Sequence, residues 1–320
     1  MNILVVGKDG QLGKAFQALL ASQLVALSDK TSIHYVGRPE CDLSNGAALD
    51  SLLNQFAPDL IINASAYTTV DKAETEIDMA FAINAKAPEI MAHYAADHGA
   101  TLLHYSTDYV FDGEKYDFYL EEDLCNPLGI YGKSKAAGEE AIAKIFLSGK
   151  SAGQYAIFRT SWVYGDGGNF IRTILRLAKE REELKIIHDQ FGVPTSANWL
   201  AQVSLHFALD QHARLRKFTS GIYHAVPTGE TTWYGLACLT VQAALDSGVT
   251  LKVRPETIKP ILAVEYPLPA PRPMNSKMST DKLHQVLLDW GDMSKLEQLN
   301  QPWDKAVQSY VANLAKDGLI

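Results

Sequence analysis

The chain opens on an uninterrupted apolar run, Ile3-Leu4-Val5-Val6, closed by Gly7. Such a run suits a strand buried on both faces. Gln11–Leu20 then places Leu12, Phe16, Leu19 and Leu20 at helical spacing. Strand-like runs return at Ile33–Val36, Leu60–Ala64, Thr101–Tyr105 and Tyr155–Thr160. Helical spacing returns at Ala80–Asp97, apolar at Phe81, Ile83, Ile90 and Met91 with Gly99 as its stop, and at Ser134–Phe146. Strands alternating with helices predict a parallel sheet covered on both faces.

Beyond Ser161 the rhythm loosens. Phe170–Glu183, Trp199–Leu209 and Thr232–Leu245 read as helices, and Gly221–Ala225 as a strand. Prolines at alternate positions in Pro267–Pro273 forbid helix and predict an extended surface segment. His188-Asp189-Gln190 reads as a loop. No repeat or long linker interrupts the 320 residues, enough for about two domains. The expected architecture is α/β. A doubly wound parallel sheet occupies residues 1–165 and takes back a segment near 195–225. A smaller mixed α/β substrate lobe occupies 166–320.

Charge and composition narrow the possibilities. A formal charge of −8 disfavours general nucleic-acid or anionic-membrane binding. Cys41, Cys125 and Cys238 lie far apart with no metal-ligand spacing, and the nine histidines show no paired pattern. Reduced thiols and no catalytic metal are expected. The amino terminus reads as a first strand rather than a leader, and no run of about 18 apolar residues appears, so a cytoplasmic protein is expected.

Candidate chemistry begins with Gly7, Gly10 and Gly13, a GxxGxxG spacing between a strand and a helix. Glycines there permit a tight turn and close approach of a pyrophosphate to a helix N-terminus. This makes the sheet a Rossmann-type dinucleotide site. At the tip of the second strand, Tyr35-Val36-Gly37-Arg38 carries no acid. Arg38 could pair with a 2′-phosphate, favouring NADPH over NADH. Asp29 would be the ribose acid if the second strand were Leu24–Leu27 instead. Ser106, Thr107 and Asp108 follow a strand end, where ligands of such sheets bind. Tyr131 and Lys135, spaced i and i+4, share a helix face. A lysine ammonium would lower the phenol pKa and let Tyr131 donate a proton to a carbonyl, with Thr107 holding the carbonyl oxygen.

Several longer strings are more discriminating than the glycines. They are Asn63-Ala64-Ser65-Ala66-Tyr67-Thr68-Thr69-Val70-Asp71-Lys72-Ala73-Glu74, His104-Tyr105-Ser106-Thr107-Asp108-Tyr109-Val110-Phe111, Tyr131-Gly132-Lys133-Ser134-Lys135, Phe158-Arg159-Thr160-Ser161-Trp162-Val163-Tyr164 and Arg272-Pro273-Met274-Asn275-Ser276. Together they resemble the extended short-chain dehydrogenase/reductases, and within them the branch that reduces nucleotide-activated 4-keto sugars. The resemblance covers nearly the whole chain. It implies reduction of the C4 keto group of dTDP-4-dehydro-β-L-rhamnose by NADPH or NADH. Tyr131 would be the proton donor, with Thr107 and Lys135 completing the triad. Gly10, Gln11 and Leu12 would contact cofactor phosphates, and Asp42 and Leu43 would flank the adenine. Ala66, Tyr67, Thr68 and Tyr105 would line the remaining groove, and Lys135 would hold ribose hydroxyls. Thr107, Asp108 and Trp162 would hold the sugar. Arg272 and Asn275 either reach the nucleotide diphosphate or anchor the proline segment, and Lys72 and Glu74 form at most a local pair. Some relatives use a glutamate two residues after Gly13 in a Mg2+-bridged dimer. Ala15 stands there in this chain, which argues against a metal-linked dimer and leaves a monomer or homodimer. A nucleotide-sugar epimerase or dehydratase, or a non-catalytic regulatory subunit, shares the architecture.

Overall fold

The alternating pattern folds as expected in the first half of the chain. A computed structural model describes residues 1–23, 31–147, 149, 151–291 and 300–320. The alternative strand Leu24–Leu27 and Asp29 lie outside the described residues. β1 (Asn2–Val6) leads into α1 (Gln11–Gln23), β2 (Ser32–Val36), α2 (Gly46–Phe56) and β3 (Leu60–Asn63). Short helices α3 (Val70–Ala73) and α4 (Ile77–Phe81) follow. A π-helical turn, Ala82–Lys86, joins α4 to α5 (Ala87–His98). β4 (Thr101–Thr107), α6 (Ile130–Leu147) and β5 (Gln154–Thr160) complete this half.

The second half is more broken. It holds β6 (Val163–Tyr164), α7 (Phe170–Glu180), β7 (Leu184–Ile187), β8 (Phe191–Gly192), β9 (Thr195–Ser196) and α8 (Ala197–Ala208). β10 (Gly221–His224), β11 (Thr231–Thr232), α9 (Trp233–Asp246), β12 (Ile258–Ile261), α10 (Asp281–Asp289) and a C-terminal helix, Trp303–Lys316, follow.

Six strands pair in parallel in the order β10-β5-β4-β3-β1-β2. After β1 the chain builds outward first through β2, then on the other side through β3. The crevice over the carboxyl ends of β1 and β3 is therefore the topological switch point. One face of the sheet packs Phe16 of α1 and Leu200 and Phe207 of α8. The other packs Leu49 and Leu53 of α2, Met91 of α5 and Ile142 of α6. A third core joins α7, α9 and the C-terminal helix through Ile171, Leu236 and Val307. The returning elements are thus α8, packed against α1, and β10, paired with β5. No helix among the described residues is long and apolar enough to cross a membrane.

Three departures from the expected elements have local causes. Helix α2 was not anticipated, although Asn45 caps it by accepting the Ala48 amide at 3.1 Å. The predicted Ala80–Asp97 helix contains the π turn, which presents Asn84, 1% exposed, to the neighbouring elements. Helix α6 begins at Ile130 rather than Ser134. The Glu74 carboxylate accepts the Ile130 amide at 2.8 Å, satisfying one free donor of the first turn. Glu74 therefore serves α6 rather than pairing with Lys72.

Candidate active site

A cavity of about 620 Å³ opens over the carboxyl ends of β1, β4 and β5. Gly7, Gly10, Gln11 and Leu12 form one wall. Gly7 has φ of +92°, a conformation that favours glycine. A Cβ on Gly13 would stand 2.1 Å from the Gly7 carbonyl oxygen, so Gly13 lets α1 approach the loop and does not itself line the cavity. The loop is tied to β2 because Gly7 and Lys8 both donate to the Val36 carbonyl, at 2.8 and 3.1 Å. Helix α1 has no acid in its first turn, so its N-terminus offers unopposed amide donors.

Opposite the loop, Tyr131 lies in the first turn of α6, edge-on to Tyr109 with ring centres 5.4 Å apart. Its phenol lies beside the Thr107 hydroxyl in the same cavity. Thr107 ends β4, and its hydroxyl donates to Asp108 Oδ1 at 2.9 Å while accepting the Tyr109 amide at 3.2 Å. Asp108 Oδ2 accepts the Ser276 hydroxyl. Lys135 is 1% exposed. Its ammonium donates to the Tyr105 carbonyl at 2.6 Å and lies 3.2 Å from His104 Nε2.

The phenol is not acidified in the chain by itself. Burial pushes Tyr131 up to about 12, against the neighbouring Thr107 hydroxyl, and the Asp108 charge adds to the rise. Burial also brings Lys135 down to about 8, opposed by Glu139. The expected lysine–phenol effect is not seen because the ammonium reaches past the phenol to the β4 backbone. Burial raises Asp108 to about 6, against its hydrogen bonds from Ser276 and Thr107.

The far end of the cavity lies at the tip of β2. Arg38, Leu43, Gly37 and Asp9 line it, with Ala66 and Thr68 on the opposite side. The strand tip is not free of acids, contrary to the sequence reading. Glu40 accepts the Gly37 amide at 2.8 Å and pairs with Lys8 at 2.5 Å. Asp9 Oδ2 lies where a Gly37 Cβ would stand. Both acids come from outside β2 itself, Asp9 from the glycine loop and Glu40 from the turn after the strand. Arg38 is 80% exposed and stands 4.0 Å from Asp42.

The cavity thus unites Gly7, Gly10, Gln11, Leu12, Arg38, Leu43, Ala66, Thr68, Tyr105, Thr107, Asp108, Tyr131, Lys135 and Trp162. Besides Gly13, four expected residues stay outside its lining. Asp42 accepts the amide and hydroxyl of Ser44. The Tyr67 phenol donates to Glu76 at 2.6 Å. Arg272 pairs with Asp71 at 2.8 Å, and Asn275 donates to the Lys115 and Asp117 carbonyls, so both anchor the proline segment. Trp162 adopts φ of +47° and stacks on Trp233 at 3.7 Å, forming an aromatic wall.

Sequence reasoning missed Asn84, Ser276 and Trp233. Asn84 accepts the Tyr67 amide at 2.8 Å and donates to Ser134 Oγ at 3.0 Å. Ser134 in turn donates to the Tyr131 carbonyl. The π turn therefore links the loop after β3 to the helix that carries Tyr131. Its only sequence signal is an asparagine on the buried face of a helix.

A switch-point glycine loop and a Tyr-x-x-x-Lys pair with its lysine buried, in one cavity, define the short-chain dehydrogenase/reductase class. Within that class the chain belongs to the family described as the RmlD substrate binding domain, whose model matches residues 1–315. It is 44% identical over 297 residues to the dTDP-4-dehydrorhamnose reductase of Escherichia coli K12, covering 91% of this chain and 94% of that protein. A dTDP-4-dehydrorhamnose reductase structure from Clostridium acetobutylicum is 33% identical with a TM-score of 0.82, covering 98% of this chain and 99% of that one. Another from Bacillus anthracis, in complex with NADP, is 30% identical with a TM-score of 0.79, covering 97% and 98%.

Proposed function

We propose that the chain reduces the C4 keto group of dTDP-4-dehydro-β-L-rhamnose with NADPH, giving dTDP-L-rhamnose. The observation that carries this reading is the single cavity joining the glycine loop at Gly7 to Thr107, Tyr131 and Lys135. Relatives named for this reaction, one of them holding NADP, support the substrate and the cofactor.

The residues present fit a dinucleotide. Gly7 and Gly13 leave room against the loop, and the α1 N-terminus supplies amide donors for a pyrophosphate. When bound, the reduced nicotinamide supplies a hydride. Tyr131 gives its phenolic proton to the carbonyl oxygen of the sugar. Thr107 stands beside the phenol, its own hydroxyl fixed by the Tyr109 amide and Asp108 Oδ1. Lys135 is a buried cation at neutral pH, held on the Tyr105 carbonyl at 2.6 Å, from where it fixes the end of β4 beneath the site. Trp162 and Trp233 close one side of the sugar space and exclude water. Arg38 and Lys8 offer charge to a 2′-phosphate, while Asp9 and Glu40 offer acceptors to ribose hydroxyls. In this reading residues 1–165, with the segment near 195–225, hold the dinucleotide, and 166–320 chiefly hold the sugar. The same reading makes the chain a cytoplasmic enzyme acting as a monomer or homodimer, without a bridging metal because Ala15 is buried in the core.

Purified protein given the keto sugar and NADPH should consume both in equal amounts and yield the hydroxy sugar. An epimerase would instead keep its cofactor bound and show no net oxidation, and a regulatory subunit would show no turnover. Either result removes the proposal.

A further inference from the structure

Beneath the cavity a chain of polar side chains runs from the glycine loop to Lys135. A Cβ on Gly7 would stand 2.7 Å from the Ser65 amide nitrogen, so the turn lies against Ser65, which lines the cavity. The Ser65 hydroxyl and amide donate to Asn63 Oδ1 at 2.5 and 3.3 Å. Asn63 on β3 is the register neighbour of His104 on β4, and its Nδ2 faces His104 Nδ1 at 3.0 Å. His104 Nε2 lies 3.2 Å from Lys135 Nζ. Asn63, His104 and Lys135 are each 1% exposed, so solvent cannot complete the count of donors and acceptors.

That count depends on the charge of Lys135. A neutral imidazole has one N–H and one lone pair, while an amide NH2 and an ammonium only donate. Burial holds His104 well below its ordinary value, and the Lys135 charge adds to the fall, so the ring carries one hydrogen. With Lys135 as a neutral amine the contacts close as they stand. Asn63 donates to Nδ1, Nε2–H donates to Nζ, and Nζ donates to the Tyr105 carbonyl at 2.6 Å. With Lys135 charged, Nζ has no lone pair and Nε2 must accept. The ring hydrogen then belongs on Nδ1 and needs an acceptor, which Asn63 supplies only through Oδ1. The amide must turn, giving up the long bond from the Ser65 amide. The Ser65 hydroxyl then accepts from Nδ2, and its own hydrogen is free for the cavity.

We propose that Ser65, Asn63 and His104 are positioning residues that tie the charge on Lys135 to the floor of the dinucleotide groove. Charging Lys135 turns Asn63 and releases the Ser65 hydroxyl to donate to a bound dinucleotide. The bound dinucleotide favours the charged lysine in return, because such coupling is reciprocal. The imidazole carries one hydrogen in both states, and the proton gained from solvent resides on Lys135. The other charged groups around Lys135 are committed elsewhere. Glu139 on α6 is forked onto Arg159 of β5, and Asp108 after β4 is bonded to Thr107 and Ser276. Lys86 of the π turn pairs with Glu89 of α5, and Asp71 of α3 with Arg272. Burial keeps the Tyr105 and Tyr131 phenols neutral. Strands β1 and β3 carry no titratable side chain.

This inference rests on the proposed dinucleotide site, and its test needs no turnover. NADPH binding is titrated by fluorescence one pH unit below and one above about 8, where Lys135 exchanges its proton. Ser65→Ala should weaken NADPH binding about fivefold at the lower pH, the size of a modest coupling, and under about twofold at the higher. Circular dichroism establishes that the variant folds. Nitrogen NMR of the unmodified protein without NADPH reads the ring directly. His104, identified by its loss in His104→Gln, should carry its hydrogen on Nδ1 at the lower pH and on Nε2 at the higher. An equal loss in Ser65→Ala at both pH values, or a hydrogen on the same nitrogen throughout, overturns the inference while the dinucleotide reading stands. No NADPH binding by the unmodified protein at either pH overturns both.

Discussion

The two ends of the cavity are built on opposite principles. At the proposed catalytic end Tyr131, Thr107, Asp108 and Lys135 are packed or bonded against protein partners, and the last three are almost wholly buried. At the β2 tip the charged groups pair with each other in solvent: Lys8 with Glu40, and Arg38 with Asp42. Proton and hydride transfer require atoms fixed before charge moves, and a low-dielectric site makes fixed dipoles effective. Recognition of a ribose hydroxyl or phosphate tolerates side chains that rearrange, because exposed pairs contribute little to stability. If the contrast is real, substitutions at the buried end should change turnover or folding. Substitutions at the exposed end should change only cofactor choice.

The largest effect belongs to Tyr131→Phe. Removing the proposed proton donor should lower kcat by roughly 10²- to 10⁴-fold. The phenylalanine ring fills nearly the same space, so NADPH binding followed by fluorescence should hardly change. A large loss of NADPH affinity would show that the two ends do not act separately.

Next comes the scaffold under α6. Arg159 of β5, 2% exposed, makes a forked contact with Glu139 of α6, with bonds of 3.0 and 2.6 Å. It also donates to Cys125 Sγ at 3.3 Å and crosses the Phe111 ring. Arg159→Met leaves a buried carboxylate without its cation and should cost about 3–5 kcal/mol by denaturant titration. Chain packing around Phe111 and Tyr119 would loosen with it. A loss below about 1 kcal/mol, the range of an exposed pair, would break the distinction from the other side.

The same contrast explains what could be read from the residues alone. Burial leaves strong marks in sequence, so Ile3–Val6, Thr101–Tyr105 and Tyr155–Thr160 were legible as strands, and Thr107 and Tyr131 could be placed at one site. Contacts that depend on how distant segments meet left no such mark. Ser276 meets Asp108 across 168 positions, and Glu74 reaches the α6 N-terminus across 56. For Arg272 and Asn275 the sequence left ligand contact and anchoring both open, because their partners, Asp71 and the 115–117 backbone, lie far away in sequence. At the β2 tip the search for an acid was confined to the strand. Folding brings in Asp9 from the glycine loop and Glu40 from the following turn. The direction of the phenol shift was also misjudged, since i,i+4 spacing places two residues on one face without saying where a long ammonium ends. The short strands β7 and β12 pair across the loosened second half, where no regular alternation announces them.

At the exposed end, Arg38→Ala should raise the KM for NADPH by about tenfold, the lower end of what a charge-assisted hydrogen bond contributes. The KM for NADH should stay nearly constant, as should kcat with either cofactor. Equal effects on both cofactors would show that Arg38 serves the adenine or the fold rather than a 2′-phosphate.

Glu40→Gln should have the smallest effect and the most telling sign. The Lys8 hydrogen bond, then the Gly37 amide, hold the Glu40 carboxyl below its usual value. A group lowered in this way stabilises the fold above its unfolded value and loses that contribution as pH falls through the folded one. Both partners are exposed, so solvent screens the pair and the melting temperature should not change detectably at neutral pH. Glutamine still accepts the Gly37 amide but no longer neutralises Lys8. The released ammonium should favour a 2′-phosphate, raising the NADPH-to-NADH ratio of kcat/KM, by less than Arg38→Ala lowers it. A fall in that ratio would mean that Glu40 helps to order Lys8 for the phosphate instead of competing with it. A marked drop in melting temperature or in kcat would mean that the β2 tip is as rigidly built as the catalytic end.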